Sequence, residues 1–325
     1  MKKTKEQQLS NPFVVALGAV FCCALWGSAF PLIKIGYRLY EIDSADTGAQ
    51  ILFAGIRFAF AGIFTILIGS LLERKFLLPQ KGMGKPVFSL SMFQTFLQYF
   101  AFYVGLAHTS GVRASIIQGA NVFLALGVSA LIFHMEKMNG KKLIGCFFGF
   151  CGVVLVNLNK TQGESGMQLL GDGLILASTL AYAFSSVLMK RYSRQYPPVL
   201  LSGYQFLAGG ILLVFLGLAM GGTIHGSGFS GILVLGYLSM LSAAAYSLWG
   251  ILLKYNSISR VAVYGFMTPV FGFVFSALFL EEGTDALNVR CILALCLVCA
   301  GIFFVNTSEK IYNGEGIGTV TKKEI

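Results

Sequence analysis

The sequence predicts an all-α membrane protein of about ten transmembrane helices, arranged as two inverted five-helix repeats. Three observations predict it. Of 325 residues, 56% are hydrophobic and only 12% are charged, against roughly 25% charged in an ordinary soluble domain. The apolar residues fall in blocks of about 20, the length a helix needs to cross roughly 30 Å of hydrocarbon. The two halves also carry the same landmarks in the same order. Arg57 in GIRFAFAGIF corresponds to Gln205 in GYQFLAGGIL, Arg113 to Arg260, and Asn157 closing CGVVLVN to Asn306 closing CAGIFFVN, at separations of 148, 147 and 149 residues. A repeat with an odd number of spans enters the membrane from opposite sides in its two copies. Inverted repeats are typical of transporters that alternate access around a central site.

Taken in order, residues 1–12 are a cytoplasmic N-terminus carrying Lys2, Lys3 and Lys5. The first repeat, 13–158, holds spans at 13–36, 50–72, 87–107, 112–134 and 142–158. The basic flank and apolar run of the first span look like a signal peptide, but the run is too long and lacks a small-residue cleavage site, so it is read as a retained span. An external linker loop, 159–170, leads to the second repeat, 171–306, with spans at 171–190, 200–221, 229–253, 260–280 and 287–306. The polar tail, 307–325, carries Gly314, Gly316 and Gly318 and is expected to be disordered and cytoplasmic.

The net charge of +10 is a matter of topology rather than of nucleic acid. Arg74, Lys75, Lys81 and Lys85 lie between spans two and three; Lys137, Lys141 and Lys142 between four and five; Arg191 and Arg194 between six and seven. Lys254 and Arg260 flank the next such loop, and Lys322 and Lys323 end the chain. The alternate loops are acidic, with Glu41, Asp43 and Asp46, then Glu164 and Asp172, then Glu281, Glu282 and Asp285. This positive-inside pattern puts both termini in the cytoplasm of a multi-pass protein of the cell membrane. All seven Cys (22, 23, 146, 151, 291, 296 and 299) fall in spans, as small buried hydrophobes do. Cys296 and Cys299 form a C-x-x-C with no second pair or His nearby, so no metal site is predicted. No stretch between spans suits an ATP-hydrolysing module and no G-x-x-x-x-G-K-[ST] occurs, so no cofactor is expected, and uphill movement would draw on an ion gradient or exchange.

Polar groups inside the membrane need a reason, since a central charge costs about 2.5–3.5 kcal/mol on insertion scales. Arg57 falls roughly 10 Å into span two at 1.5 Å per residue. Either its long side chain snorkels or ties helix ends, or it attracts the anionic part of a substrate; it is the candidate anion contact. Lys34 and Lys190 close the first span of each half as interfacial anchors, with gating as the alternative. His108, His134 and His225 sit at span ends, poor places for a proton relay. Other polar and aromatic residues share helix faces: Trp26 with Phe30; Gln94, Gln98 and Phe102, with Tyr99 beside them; Gln118 with Asn121; Tyr182 with Ser186; Tyr246 with Trp249; and Tyr264 with Thr268. Singly, interhelical hydrogen bonds and aromatic packing account for them. Together they describe a central cavity with amide, hydroxyl and aromatic contacts to a substrate. Pro31 and Pro269 are expected to kink their helices and act as hinges. Gly145, Gly149, Gly152 and Gly301 mark spans five and ten as closely packed scaffolds.

ALWGSAFPLIK (24–34), the Arg of GIRF, YFAFYVGLAHTS (99–110), Glu136 closing span four and VFGFVFSALFLEE ending at Glu282 resemble the EamA family of the drug/metabolite transporter superfamily, across both repeats. That family usually has Pro in the fourth span of each repeat; Pro269 in TPVFG fits, whereas GANVF puts Asn121 in the first copy. The resemblance implies a secondary transporter with its cavity between the repeats, exporting amino acids or related metabolites. No Asp or Glu sits mid-span, unlike the carboxylate that small multidrug exporters of this superfamily use for cations and protons. Neutral, zwitterionic or anionic metabolites are therefore expected. A sugar or nucleotide-sugar carrier is the alternative, but phosphorylated substrates need several cations at cavity depth. A membrane-embedded enzyme would need a cluster of His, Asp, Glu or an activated nucleophile, and a lipid-handling protein would not need so many inward amides. The expected partners are a small-molecule substrate and membrane lipid, not nucleic acid, and a monomer is compatible with the sequence.

Overall fold

Polar caps and prolines set where the apolar runs become helices. In the computed structural model, which describes residues 9–134, 140–157, 165–226, 228–256, 261, 263–280 and 288–315, the Asn11 side chain accepts from the Phe13 amide at 2.9 Å. Pro12 then takes the first helical position, where its missing N–H costs nothing, and α1 runs Pro12–Leu39. Asp46 accepts from the Ala49 amide at 2.8 Å to start α2 (Thr47–Glu73), which ends where Arg74 turns left-handed at φ 51°. α3 (Gly84–Ala107) contains a π-helical segment, Ser91–Leu97. α4 (Gly111–Ile132) is capped by Ser110 and interrupted at Gly119 and Ala120. Next come α5 (Gly140–Asn157), α6 (Ser165–Tyr192), α7 (Pro198–Ala219) and α8 (Gly228–Tyr255). A 3₁₀ turn, Val263–Phe266, precedes α9 (Met267–Phe279), and α10 is Val289–Glu315. No strand occurs among the described residues.

Seven of these helices are long and apolar enough to cross a membrane; α5, α9 and α10 contribute shorter apolar stretches, Lys142–Gly152, Met267–Phe279 and Val289–Gly301. Exposure is inverted relative to a water-soluble protein. Phe13, Leu17, Phe147, Phe215 and Leu278 face outward, while Arg57, Gln94, Gln98 and Gln205 are buried.

The helices pair reciprocally. α1 packs on α8 and α9, while α6 packs on α3 and α4; α2 pairs with α7, and α5 with α10. Contacts between α2 and α7 descend one helix as they climb the other: Gly48 meets Gly222, Gly55 meets Val214, Gly62 meets Leu207, and Gly69 meets Val199. The two helices are therefore antiparallel. Their glycines are what let the backbones touch: a Cβ on Gly62 would lie 2.8 Å from the Gly203 carbonyl. α5 and α10 are antiparallel too, with Gly152 against Ala294 and Val298, and Gly301 against Gly145 and Gly149.

Several expectations need correction. Pro31 lies buried within α1, with helix on both sides of it. Pro269 sits in the first turn of α9, just after the 3₁₀ turn Val263–Phe266. α6 begins at Ser165, so residues 165–170 are helical rather than loop, and α10 carries helix through residues 307–315 of the expected tail. Asp172 belongs to α6, not to a solvated loop. Glu136, Glu282, Arg260, Lys2, Lys3, Lys5, Lys322 and Lys323 lie outside the described residues.

Candidate functional site

At the centre of the bundle, side chains from α1, α2, α3, α4, α6, α8 and the start of α9 enclose a cavity of about 70 Å³. A local irregularity of helix from each half meets there: the turn at Gly119–Ala120 and the 3₁₀ turn Val263–Phe266. The interruption of α4 places Gly119 against Pro269, 3.3 Å from a Cβ built on the glycine, and the 3₁₀ turn before α9 places Gly265 against Val122 at 3.5 Å. The break in α4 needs no proline, since Asn121 stands just after it.

One wall is aromatic. Trp26 is edge-on to Tyr182, Tyr246 and Trp249, with ring centroids 6.2, 5.2 and 5.0 Å away. The Tyr246 hydroxyl shares a hydrogen bond with that of Tyr99 and receives one from Gln98 Nε2 at 3.5 Å. The amides of Gln118 and Asn121, the Thr268 hydroxyl and Phe102 complete the lining. Several polar atoms here have no protein partner: Trp26 Nε1, Gln98 Oε1 and Asn121 Oδ1, with Gln94 Oε1 close behind. Each buried orphan costs about 1–3 kcal/mol.

Arg57 borders the same cavity. It does not snorkel: it is 2% exposed, donating from Nε to the Leu238 carbonyl at 3.1 Å, from Nη1 to the Tyr103 hydroxyl at 2.6 Å, and from Nη2 to Ser242 Oγ at 3.0 Å. Its guanidinium also lies 4.8 Å from the Phe58 ring centroid.

Not every residue predicted for the site reaches it. Phe30 sits one layer away, packed on Phe102 at 5.6 Å between centroids. Gln94 is buried behind the lining. Ser186 bonds back to the Tyr182 carbonyl at 2.9 Å, and Tyr264 contributes its carbonyl to Cys23 Sγ at 3.4 Å. Trp26, Arg57, Gln98, Tyr99, Phe102, Gln118, Asn121, Tyr182, Tyr246, Trp249, Thr268 and Pro269 do line the cavity, joined by Ala29, Gly119, Val122 and Gly265, which the sequence did not suggest.

Comparison with known proteins decides the family. The profile of the EamA-like transporter family matches residues 13–158 and again 169–307. The chain belongs to the EamA-like transporter family. Family members similar to it include an uncharacterized transporter of Archaeoglobus fulgidus, 30% identical and covering 80% of this chain and 87% of its own. The uncharacterized transporter YvbV of Bacillus subtilis is 24% identical, covering 93% and 95%. A solved crystal structure, 18% identical, superposes with a TM-score of 0.64 over 92% of this chain and 98% of the other, a likeness of fold. This EamA-like protein is thus a multi-pass membrane protein whose relatives are named as transporters.

Two further clusters surround the cavity. Asp172 accepts from Thr109 Oγ1 at 2.6 Å and forms a buried ion pair with Arg113, tying the start of α6 to the α3–α4 junction. The sequence signal for it was weak: two leucines before Gly171 already place Asp172 inside the apolar run. Lys190 Nζ donates to the Leu253 and Asn256 carbonyls at 2.6 and 2.8 Å, closing the C-terminal end of α8, which is the anchoring role. Among the described residues no cluster of three His, Cys, Asp or Glu could hold a metal ion.

Proposed function

We propose that the protein is a secondary transporter that moves a small organic metabolite through this cavity by alternating access between two inverted five-helix repeats. The observation that carries the reading is a polar and aromatic cavity lined by helices of both halves, where the turn at Gly119–Ala120 meets the 3₁₀ turn Val263–Phe266 and α9; many secondary transporters place the substrate site at the interface of such repeats. The antiparallel pairing of the corresponding helices α2 and α7, and of α5 and α10, supports the inverted repeat and a count of ten spans. The alternation of basic and acidic loops supports cytoplasmic termini and residence in the cell membrane.

Substrates fitting the lining are neutral, zwitterionic or anionic, amino acids among them. Among the described residues Arg57 is the one cation in the lining, which disfavours nucleotide sugars and other multiply charged phosphates. The test is a metabolite-uptake screen in vesicles reconstituted with the purified chain, with and without a pH gradient. A saturable flux of one metabolite class is expected. Failure of every small solute, with lipid moving instead, would overturn the reading. Flux independent of the gradient would assign facilitated diffusion or exchange.

A further inference from the structure

Arg57 and Gln205 occupy equivalent places in the two halves, and so do their partners. Arg57 donates to the Leu238 carbonyl and to Ser242 Oγ on α8. Gln205 accepts at its side-chain oxygen from Thr95 Oγ1 at 2.6 Å, and at its backbone carbonyl from Ser91 Oγ at 3.1 Å, both on α3. Ser91 and Leu238 are 147 residues apart, as are Thr95 and Ser242, which is the spacing of the repeat itself. Each half therefore ties its second helix to the third helix of the other half. On one side a neutral amide is sufficient. The tie does not require a positive charge.

A charge is nevertheless present, nearly fully buried in a membrane helix. Among the described residues Arg57 meets three neutral acceptors and two aromatic faces, and no carboxylate. A guanidinium has five N–H groups; with three donated, one remains on each of Nη1 and Nη2. Buried charges are ordinarily paired, and the fork of an arginine suits a carboxylate in particular. Arg57 lines the cavity, whereas Gln205 does not.

We propose that the missing countercharge arrives with the solute: Arg57 binds a carboxylate or similar monoanionic group in the cavity, and so selects anion-bearing solutes over their neutral counterparts. This rests on the cavity being the transport site. One cation implies one anionic group. The Gln118 and Asn121 side chains and the Thr268 hydroxyl then serve other polar atoms of the solute, and the Trp26, Tyr182 and Trp249 rings cover its apolar part.

The chain has two tryptophans, and both, Trp26 and Trp249, line the cavity, so intrinsic fluorescence reports on it directly. Purified full-length protein in detergent would be titrated with matched carboxylates and carboxamides: butyrate and butyramide, phenylacetate and phenylacetamide, leucine and leucinamide. At least one carboxylate should give a saturable change and bind at least tenfold tighter than its amide. Arg57→Gln, the residue the other half uses at this crossing, should shrink that preference below threefold. Arg57→Lys should keep the preference but weaken the carboxylate at least threefold, because the fork is lost. Equal binding of acid and amide, a preference that survives Arg57→Gln, an unchanged affinity in Arg57→Lys, or no response to any carboxylate would each overturn the proposal. Should Arg57→Gln not fold, the wild-type pairs and Arg57→Lys decide. Flux of a neutral solute indifferent to Arg57 would sink this assignment and leave the transporter reading intact; saturable carboxylate binding without flux in vesicles would do the reverse.

Discussion

Replacing Asp172 with asparagine removes a charge while keeping the side chain's shape. The Asp172 side chain is 2% exposed and that of Arg113 10%, so solvent does little to screen the pair. The substituted amide can still accept from Thr109 Oγ1, which leaves the lost countercharge as the main effect. Arg113 Nε already lacks a partner, so the guanidinium has no second acceptor on that edge. Breaking one side of a buried pair costs about 3–5 kcal/mol, and that is the destabilisation expected of Asp172→Asn. Arg113→Gln should cost a similar amount. The double variant should lose less than the sum of the two, with a coupling of about 1–3 kcal/mol, because no unpaired charge then remains. Reversible unfolding by SDS in mixed micelles measures all three. Single variants that each cost under about 1 kcal/mol and combine additively would refute the reasoning and make the pair an exposed, screened one.

Two other perturbations test the packing and the topology, beside the Arg57 titrations and the vesicle screen. Gly62→Ala puts a Cβ 2.5 Å from the Leu207 amide nitrogen and 2.8 Å from the Gly203 carbonyl, so α2 and α7 must separate, at a cost of about 1–3 kcal/mol. Gly236→Ala on α8 meets nothing within 4 Å and should be neutral or stabilising by up to about 1 kcal/mol; the same SDS titration compares them, and equal effects would contradict the close approach of α2 and α7. Single cysteines replacing Ser44 and Lys81, both exposed, in a background lacking the native cysteines, should react with an impermeant maleimide from opposite sides of the membrane. Reaction from one side would contradict the proposed insertion. Ser44 is preferable to Asp46, which caps α2.

The spans were legible because hydrocarbon enforces them. The expected starts at 50 and 229 fall within a few residues of Thr47 and Gly228, where a cap or a glycine fixes the end. The lining was legible in part because helical spacing fixes a face but not a depth. Trp26 and Phe30 share a face of α1, yet Ala29, not Phe30, lines the cavity beside Trp26, and the Phe30 ring packs on Phe102. Gln94 and Gln98 both reach the Tyr246 side chain although Gln94 falls in the π segment Ser91–Leu97; of the two, only Gln98 lines the cavity. Partners far apart in sequence left no local trace. Arg57 finds its acceptors 181 and 185 residues away, and Asp172 finds Arg113 at a distance of 59. A loop-charge count cannot tell a solvated aspartate at a membrane boundary from one already paired inside it.

The two halves also show which differences in sequence carry chemistry. Asn121 stands where the second half has Pro269, yet helix is interrupted beside both. That difference alters a polar contact and leaves the backbone plan alone. Gln205 stands where the first half has Arg57, and both ties to the opposite third helix form. That difference also leaves the architecture alone, but it puts a single charge on one side of the cavity. Had both halves carried arginine here, a second guanidinium would be buried where Gln205 now meets Thr95, away from the cavity lining. With Arg57 alone, the charge sits on one side of the cavity and the Trp26–Trp249 aromatic wall on another, so the proposed carboxylate contact would give a bound solute one preferred orientation.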